Sequence, residues 1–421
     1  MGRVRICGCL LVITLLAAGT GTASEQKMNS TPTNFGEDLA FLQKHTDAQV
    51  LRKGESAVVV VPAYQGRVMT STATGDKGKS YGWLNYPLIR QGVLRGEKAA
   101  GKLEEKIHVF GGEERFWLGP EGGQFGIYFA PGAKFDFASW KTPAPIDTEP
   151  FDLVSGTETK AVFSRSFSVT NQSGTVFDLA VERTVQLLDR QEAGEALGTE
   201  LPGSLPFVAY QTSNRITNRG KKTWEAKSGL LSIWILGMYK PSPATVMAIP
   251  FRREGEGEGP VVNDAYFGKI SPDRLRQAPG VVFFRGDGAS RGKIGIPPDR
   301  STGFAGSYSP DLEVLTLVRC ARPKKGERYV NSMWEQQKDP YAGDAINAYN
   351  DGSPAPGEPP LGPFYELETS SPGAELAPGQ SLTHVQTTVH VSGAPQDLDP
   401  LAVAALGVRV KEIQKAFSGA K

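Results

Sequence analysis

Between Ala48 and about His390 the chain is a succession of short apolar or alternating runs, and nothing between them has the length and period of a ten-residue helix. The run "VFDLAVERTVQL" sets the pattern. Phe177, Leu179, Val181, Arg183 and Val185 fall on one face, with Asp178 and Glu182 on the other. Further strand signals are "AVVVVPAYQGRVMTSTA", "IHVFGG", "RFWLG", "FGIYFA", "LLSIWILGMY", "GVVFFRG", "VLTLVRC", "PFYELET" and "LTHVQTTVHV". Strands that follow one another without a crossover helix pair antiparallel. The 49 glycines and 30 prolines are scattered between these runs, as turns joining many strands require. The expectation is an all-β fold, a large antiparallel β-sandwich over residues 48–395 with short flanking helices.

The two ends read differently. Residues 1–23 resemble a secretory signal, with Arg3 and Arg5, an apolar stretch from Cys9 to Ala18, and the small residues Gly21, Thr22 and Ala23. The chain is therefore expected to be exported, to the periplasm or beyond. A helical lead-in over residues 24–47 centres on "FGEDLAFLQKH", capped by Asn34 or Thr33. "DRQEAGEALG" reads as a short helical insertion. Residues 396–421 read as one amphipathic helix with a stripe through Leu401, Ala404, Leu406, Val408, Val410, Ile413 and Phe417. The apolar leader is too short to span a bilayer, and no other span is expected. A net charge of +1 gives no footprint for nucleic acid, and no glycine-rich phosphate loop is present. Past the leader one cysteine remains, Cys320, which reads as a packed strand residue.

Polar residues set within strands mark the candidate site. In "FYELET", Glu366 and Glu368 share a face with Phe364 and lie about 7 Å apart. Two carboxylates so placed raise one another's pKa toward a value useful in proton transfer, although a solvated strand face places them the same way. "GGEERFWLGPEGGQFG" is the densest polar and aromatic segment. Trp117, Phe116 and Phe125 suit stacking on a sugar ring, and Glu113, Glu114, Arg115, Glu121 and Gln124 suit its hydroxyls. Arg67, in an apolar strand, needs a carboxylate partner from protein or ligand. Loop segments contribute Asp264, Tyr266, Lys269, Arg274, Asp287 and Lys293, enough charge for an acidic sugar. No Cys/His cluster has metal-ligand spacing, so no metal or other cofactor is expected, although calcium on backbone and Asp oxygens stays open.

Three segments resemble the galactose-mutarotase-like superfamily, the aldose epimerase type of β-sandwich. They are "VVVPAYQGRVMTSTATG", "TSNRITNRGKKTW" and "FYELETSSPGAELAPGQSLTHVQTTVHV", and their order spans most of residues 48–390. "ERFWLGPEGGQFGIYF" and "AYFGKISPDRL" are similar to uncharacterised secreted bacterial members. The resemblance implies a carbohydrate-binding protein with epimerase activity; the chain is expected to be a monomer. Glu368 would be its base, with Glu366 and Glu121 beside it. His108 would stand near the first histidine of the family pattern, whose second, mid-chain histidine this sequence lacks. A non-catalytic carbohydrate binder stays open, as does a polysaccharide lyase or glycoside hydrolase using Tyr308 or Tyr266 with an arginine or lysine.

Overall fold

The computed structural model describes residues 34–92, 104–253, 255–354 and 357–418. The expected signal at 1–23 and residues 24–33 of the expected helical lead-in lie outside these residues. Among the described residues, eighteen strands form three antiparallel sheets. The largest has ten strands, in the order Leu275–Ala278, Val281–Arg285, Val246–Pro250, Phe304–Ser309, Val314–Cys320, Ser381–Ser392, Phe207–Asn218, Val176–Leu187, Lys160–Thr170 and Asp152–Gly156. A five-stranded sheet orders Gly292–Ile296, Ile346–Asn350, Tyr365–Ser370, Ser232–Tyr239 and Arg115–Gly119. The third sheet, of Gln49–Lys53, Ser56–Val61 and Arg67–Thr72, continues from its end through a bridge between Val68 and Glu114.

Alternation decides how the sheets stack. Ile294, Ile296, Ile346, Ala348, Tyr365 and Leu367 leave one face of the five-stranded sheet and pack on Met247, Ile249, Phe284, Ala305 and Val318 of the ten-stranded one. The other face of the same long sheet carries Val246, Ala248, Phe283, Tyr308, Leu315 and Leu317. Three helices cover it, Arg190–Leu197, Pro395–Leu406 and Val410–Lys415. Strands buried on both faces read as unbroken apolar runs, which is why "VLTLVRC" does not alternate. Cys320 packs within the sandwich, where burial pushes its thiol up to about 12.

Local signals account for the helices. The Asn34 side chain accepts from the Glu37 amide at 3.0 Å and opens the helix Phe35–His45. Asp189 and Glu192 form a capping box at the start of Arg190–Leu197. The single C-terminal helix expected from the sequence is two, because Gly407 takes a left-handed conformation (φ 72°) and ends the first. Ala404 is exposed, and Ala402 and Ala405 face the sheet in its place. "IHVFGG" and "FGIYFA" are not strands. The His108 amide donates to the Asp147 carboxylate and the Ile127 amide to the Pro120 carbonyl, so neither segment joins a ladder. In "PAYQGR" the chain reverses through Gln65 and Gly66, both at positive φ, and a Cβ on Gly66 would lie 2.6 Å from the Phe163 ring.

The sandwich interior also holds a polar bolt behind the strand Tyr365–Ser370. Thr369 Oγ1 donates to Gln386 Oε1 at 2.6 Å and accepts from His384 Nε2 at 2.7 Å. Gln386 Nε2 in turn donates to Glu114 Oε2, and Glu114 is paired with Arg183 at 2.9 Å. Burial lowers His384 to about 4, so it is neutral here. Leu367, fully enclosed on the same face, tests how far this packing holds the strand. Leu367→Ala should cost about 2–5 kcal/mol in urea unfolding. Val385→Ala, at a position 37% exposed, should stay within roughly 0.5 kcal/mol of wild type.

Candidate functional site

The face of the five-stranded sheet turned away from the sandwich forms the floor of a cleft. Period-2 alternation sends Arg115 and Trp117 to it from one strand, Trp234, Leu236 and Met238 from the next, and Glu366 from the third. Tyr349 and Lys293 complete the floor. Register aligns them, since Glu366 lies between Met238 and Tyr349, and Glu368 between Leu236 and Asn347. With its open mouth included, the cleft encloses about 650 Å³.

Two aromatic walls rise from the floor. Phe137 stacks on Trp140 at 6.1 Å and Trp140 on Trp334 at 5.9 Å. In a second group, Phe267 meets Tyr349 edge-on at 6.1 Å, and Tyr349 meets Phe364 at 5.9 Å.

The three glutamates named from the sequence come together here, in three different states. Glu368 is fully enclosed beneath the floor. Lys293 Nζ donates to both of its oxygens, at 2.8 and 3.1 Å, and Trp234 Nε1 adds a third bond at 2.8 Å. Lys293 also lies 4.6 Å from the Trp234 ring centre. Glu366 lines the cleft and is only 4% exposed. Its Oε1 accepts from Arg115 Nη2 at 2.8 Å, whereas its Oε2 has no donor among the described residues. Burial pushes Glu366 up to about 7, against the pull of Arg115 and with help from the Glu368 charge. Arg115 is held by stacking 4.0 Å from the centre of the Trp117 ring. Glu121 projects from the segment after the strand Arg115–Gly119 and accepts from Trp140 Nε1 at 3.0 Å. Burial raises it too, and the Lys293 charge opposes the rise.

A smaller polar chamber borders Lys293 on its far side, lined by Tyr266, Asp344, Asn347 and Ser232. The Tyr266 hydroxyl donates to Asp344 Oδ2 at 2.6 Å and accepts from Asn347 Nδ2 at 3.2 Å. Burial raises Asp344 to about 6. Gly295 permits this contact, because a Cβ there would sit 1.9 Å from Asp344 Oδ2.

Arg115, Trp117 and Lys293 thus join the glutamates, with Tyr266 behind them. Other residues named from the sequence lie elsewhere, each for a physical reason. Arg67 is buried against Phe110 and Tyr64 and donates to the Gly111 carbonyl and Gln65 Oε1. Burial lowers it to about 9. His108 is enclosed with both ring nitrogens engaged. Its Nε2 accepts from the Glu104 amide, so the Nδ1 proton faces Asp147 at 2.8 Å. Gln124 is tied at both ends of its amide to the backbone of Gln337 and so anchors the loop that carries Trp334. Asp264 pairs with Lys269. Tyr308 points to the helix-covered side of the long sheet, one residue out of phase with the sandwich-facing Ser307. Glu113 and Glu114 are likewise enclosed in the sandwich, where Glu113 accepts from Ser71, Tyr210 and His390. Among the described residues no group of acidic, His or Cys side chains is arranged to hold a metal ion.

Sequence reading missed Trp140, Trp234, Trp334, Tyr349, Phe267 and Arg291, all lining the cleft. For Trp234 the signal was present, since Trp234, Leu236 and Met238 alternate in "SIWILGMY". The others sit on loops or depend on pairing partners, which no local pattern reveals.

The chain belongs to a family of unknown function, DUF6786. That family's model matches residues 33–417. No curated protein matches the chain. Solved structures with a similar fold include a candidate aldose 1-epimerase from Escherichia coli K12, with 13% identity, a TM-score of 0.46, and coverage of 82% of this chain and 99% of the other. The Slr1438 protein from Synechocystis sp. PCC 6803 aligns with 12% identity and a TM-score of 0.46, over 83% of this chain and 96% of its own. A galactose mutarotase-like protein from Lactobacillus casei ATCC 334 aligns with 11% identity and a TM-score of 0.43, over 82% and 99%. None of the described helices is long and apolar enough to cross a membrane.

Lys293 and Glu368 neutralise one another beneath the floor, and breaking the pair leaves an enclosed charge. Lys293→Met alone should destabilise the protein by about 3–5 kcal/mol in urea unfolding. Adding Glu368→Leu should recover most of that loss, because no unpaired charge then remains.

Proposed function

We propose that the cleft binds a sugar and that Glu366 carries the proton when the sugar ring opens and closes. The observation behind this reading is the state of Glu366. It is enclosed, faces an open cleft with aromatic side chains, and keeps one oxygen without a donor among the described residues. Aromatic faces suit the apolar faces of sugar rings, and charged groups on the floor suit their hydroxyls. Ring opening needs a base that takes the anomeric hydroxyl proton and an acid that protonates the ring oxygen as the bond from that oxygen to the anomeric carbon breaks. Glu366, near neutrality in its proton affinity, takes the first part. Glu121, whose burial favours the protonated form, takes the second. After rotation about the opened carbonyl carbon the same two transfers run backward and close the other anomer. Glu368, the base implied by family resemblance, has both oxygens engaged below the floor, so its part is to hold Lys293.

A second reading is binding without turnover. The Arg115–Glu366 ion pair favours it, since a paired carboxylate also serves as a fixed polar contact.

Mutarotation of freshly dissolved aldoses and uronic acids, followed by polarimetry, separates the two. The wild type should accelerate it, and Glu366→Gln should lose about 10²–10⁴-fold while calorimetric binding persists. Binding with no acceleration by the wild type leaves the second reading, and absence of both removes the first and the second. With Glu366 as base, the rate should rise with pH through about 7. Stability runs the other way. A carboxyl raised from 4.5 to about 7 contributes fully below 4.5, and that contribution is lost as pH rises through about 7. Glu366→Gln should flatten that loss in unfolding measured across the range.

A further inference from the structure

The cations around the cleft are unequally engaged. Lys293 is held by Glu368 and Arg115 by Glu366. Lys106, beside the mouth, donates to the carbonyls of Phe137 and Ala138. The loop charges that first suggested an acidic sugar are also taken, Arg274 by Asp287 and Lys269 by Asp264. Arg291 differs. It lines the cleft and feels the Asp351 charge nearby, yet among the described residues its guanidinium has no hydrogen-bond or ion-pair partner and stacks on the Phe267 ring at 3.8 Å.

That placement is built rather than incidental. Phe267 is itself held edge-on by Tyr349, whose hydroxyl is fixed at 2.7 Å on Asp351. The Asp351 carboxylate also receives the Gly362 amide at 2.8 Å. Asp351 is thus satisfied without Arg291. A guanidinium stacked on a ring keeps its N–H edge free and oriented, the geometry that takes a planar carboxylate two-pronged. The mouth around it is unusually apolar, with Phe267, Phe137 and Leu361 exposed by 41%, 57% and 45%. Such side chains beyond the floor extend the contact surface past a single ring.

We propose that the cleft takes an anionic sugar chain, with an acidic substituent of one residue on Arg291 and neighbouring rings against the aromatic rim. This rests on the sugar-binding reading above and names its substrate class. A uronate carboxylate and a sulfate ester share the anionic oxygens that Arg291 would recognise, and the two are separable by experiment.

Isothermal titration of the full chain with three oligosaccharides of equal length, one of uronates, one sulfated and one neutral, tests the proposal. An anionic chain should bind roughly tenfold or more tightly than the neutral one, the scale of a charge-assisted hydrogen bond. Arg291→Gln should abolish that preference by bringing the anionic affinity down to the neutral one, with the thermal unfolding midpoint unchanged. Arg291→Lys should keep part of it. Tighter binding of uronate than of sulfated chains assigns the carboxylate, and the reverse order assigns the sulfate. Equal binding of neutral and anionic chains by the wild type, or a preference that survives Arg291→Gln, overturns the proposal while sparing the sugar-binding reading. Failure of all three to bind overturns both.

Discussion

A carboxylate withdrawn from water must find a cation, hydrogen-bond donors or a proton, and the site depends on how three glutamates meet that requirement. Glu368 takes a cation and an indole N–H, and both oxygens are engaged. Glu121 takes indole donation from Trp140 and lies near the Lys293 charge. Glu366 receives one arm of Arg115 and, among the described residues, nothing on its second oxygen, so a proton is the remaining route to neutrality. The unequal supply of partners, more than the presence of acidic residues, makes one of them suited to chemistry.

The sandwich imposes this inequality through a single strand. Tyr365–Ser370 carries Tyr365, Leu367 and Thr369 to the interior, Glu366 to the cleft, and Glu368 to the enclosed layer beneath its floor. A slip of one residue in its register would bury both carboxylates among Ile294, Ile346 and Val318, so the apolar face fixes where the acidic face lies. The bolt from Thr369 through Gln386 to Glu114 and Arg183 adds directional bonds to the same end. Packing on one side of the strand therefore sets the chemistry on the other.

Period-2 alternation made much of this legible before any coordinates. It placed Glu366 with Glu368 and Arg115 with Trp117, and it foretold the antiparallel sheets. It did not show which of two facing glutamates would be capped by a lysine, because Lys293 lies far along the chain from Glu368 and only sheet pairing joins them. Arg67 and His108 misled for a related reason. A polar residue in an apolar run signals a buried partner, and for both the partner is structural: Gly111 and Gln65 for one, Asp147 for the other. Tyr308 illustrates the limit of parity itself, since a strand covered on both faces gives no sign of which face looks toward the site.

Enclosure with only one oxygen partnered among the described residues raises the proton affinity of Glu366 to near neutrality. Carbon-13 NMR of the side-chain carboxyls, with Glu366 assigned by comparison with the Glu366→Gln variant, measures this directly. The expected midpoint is about 7. A midpoint near the ordinary 4.5 would contradict it.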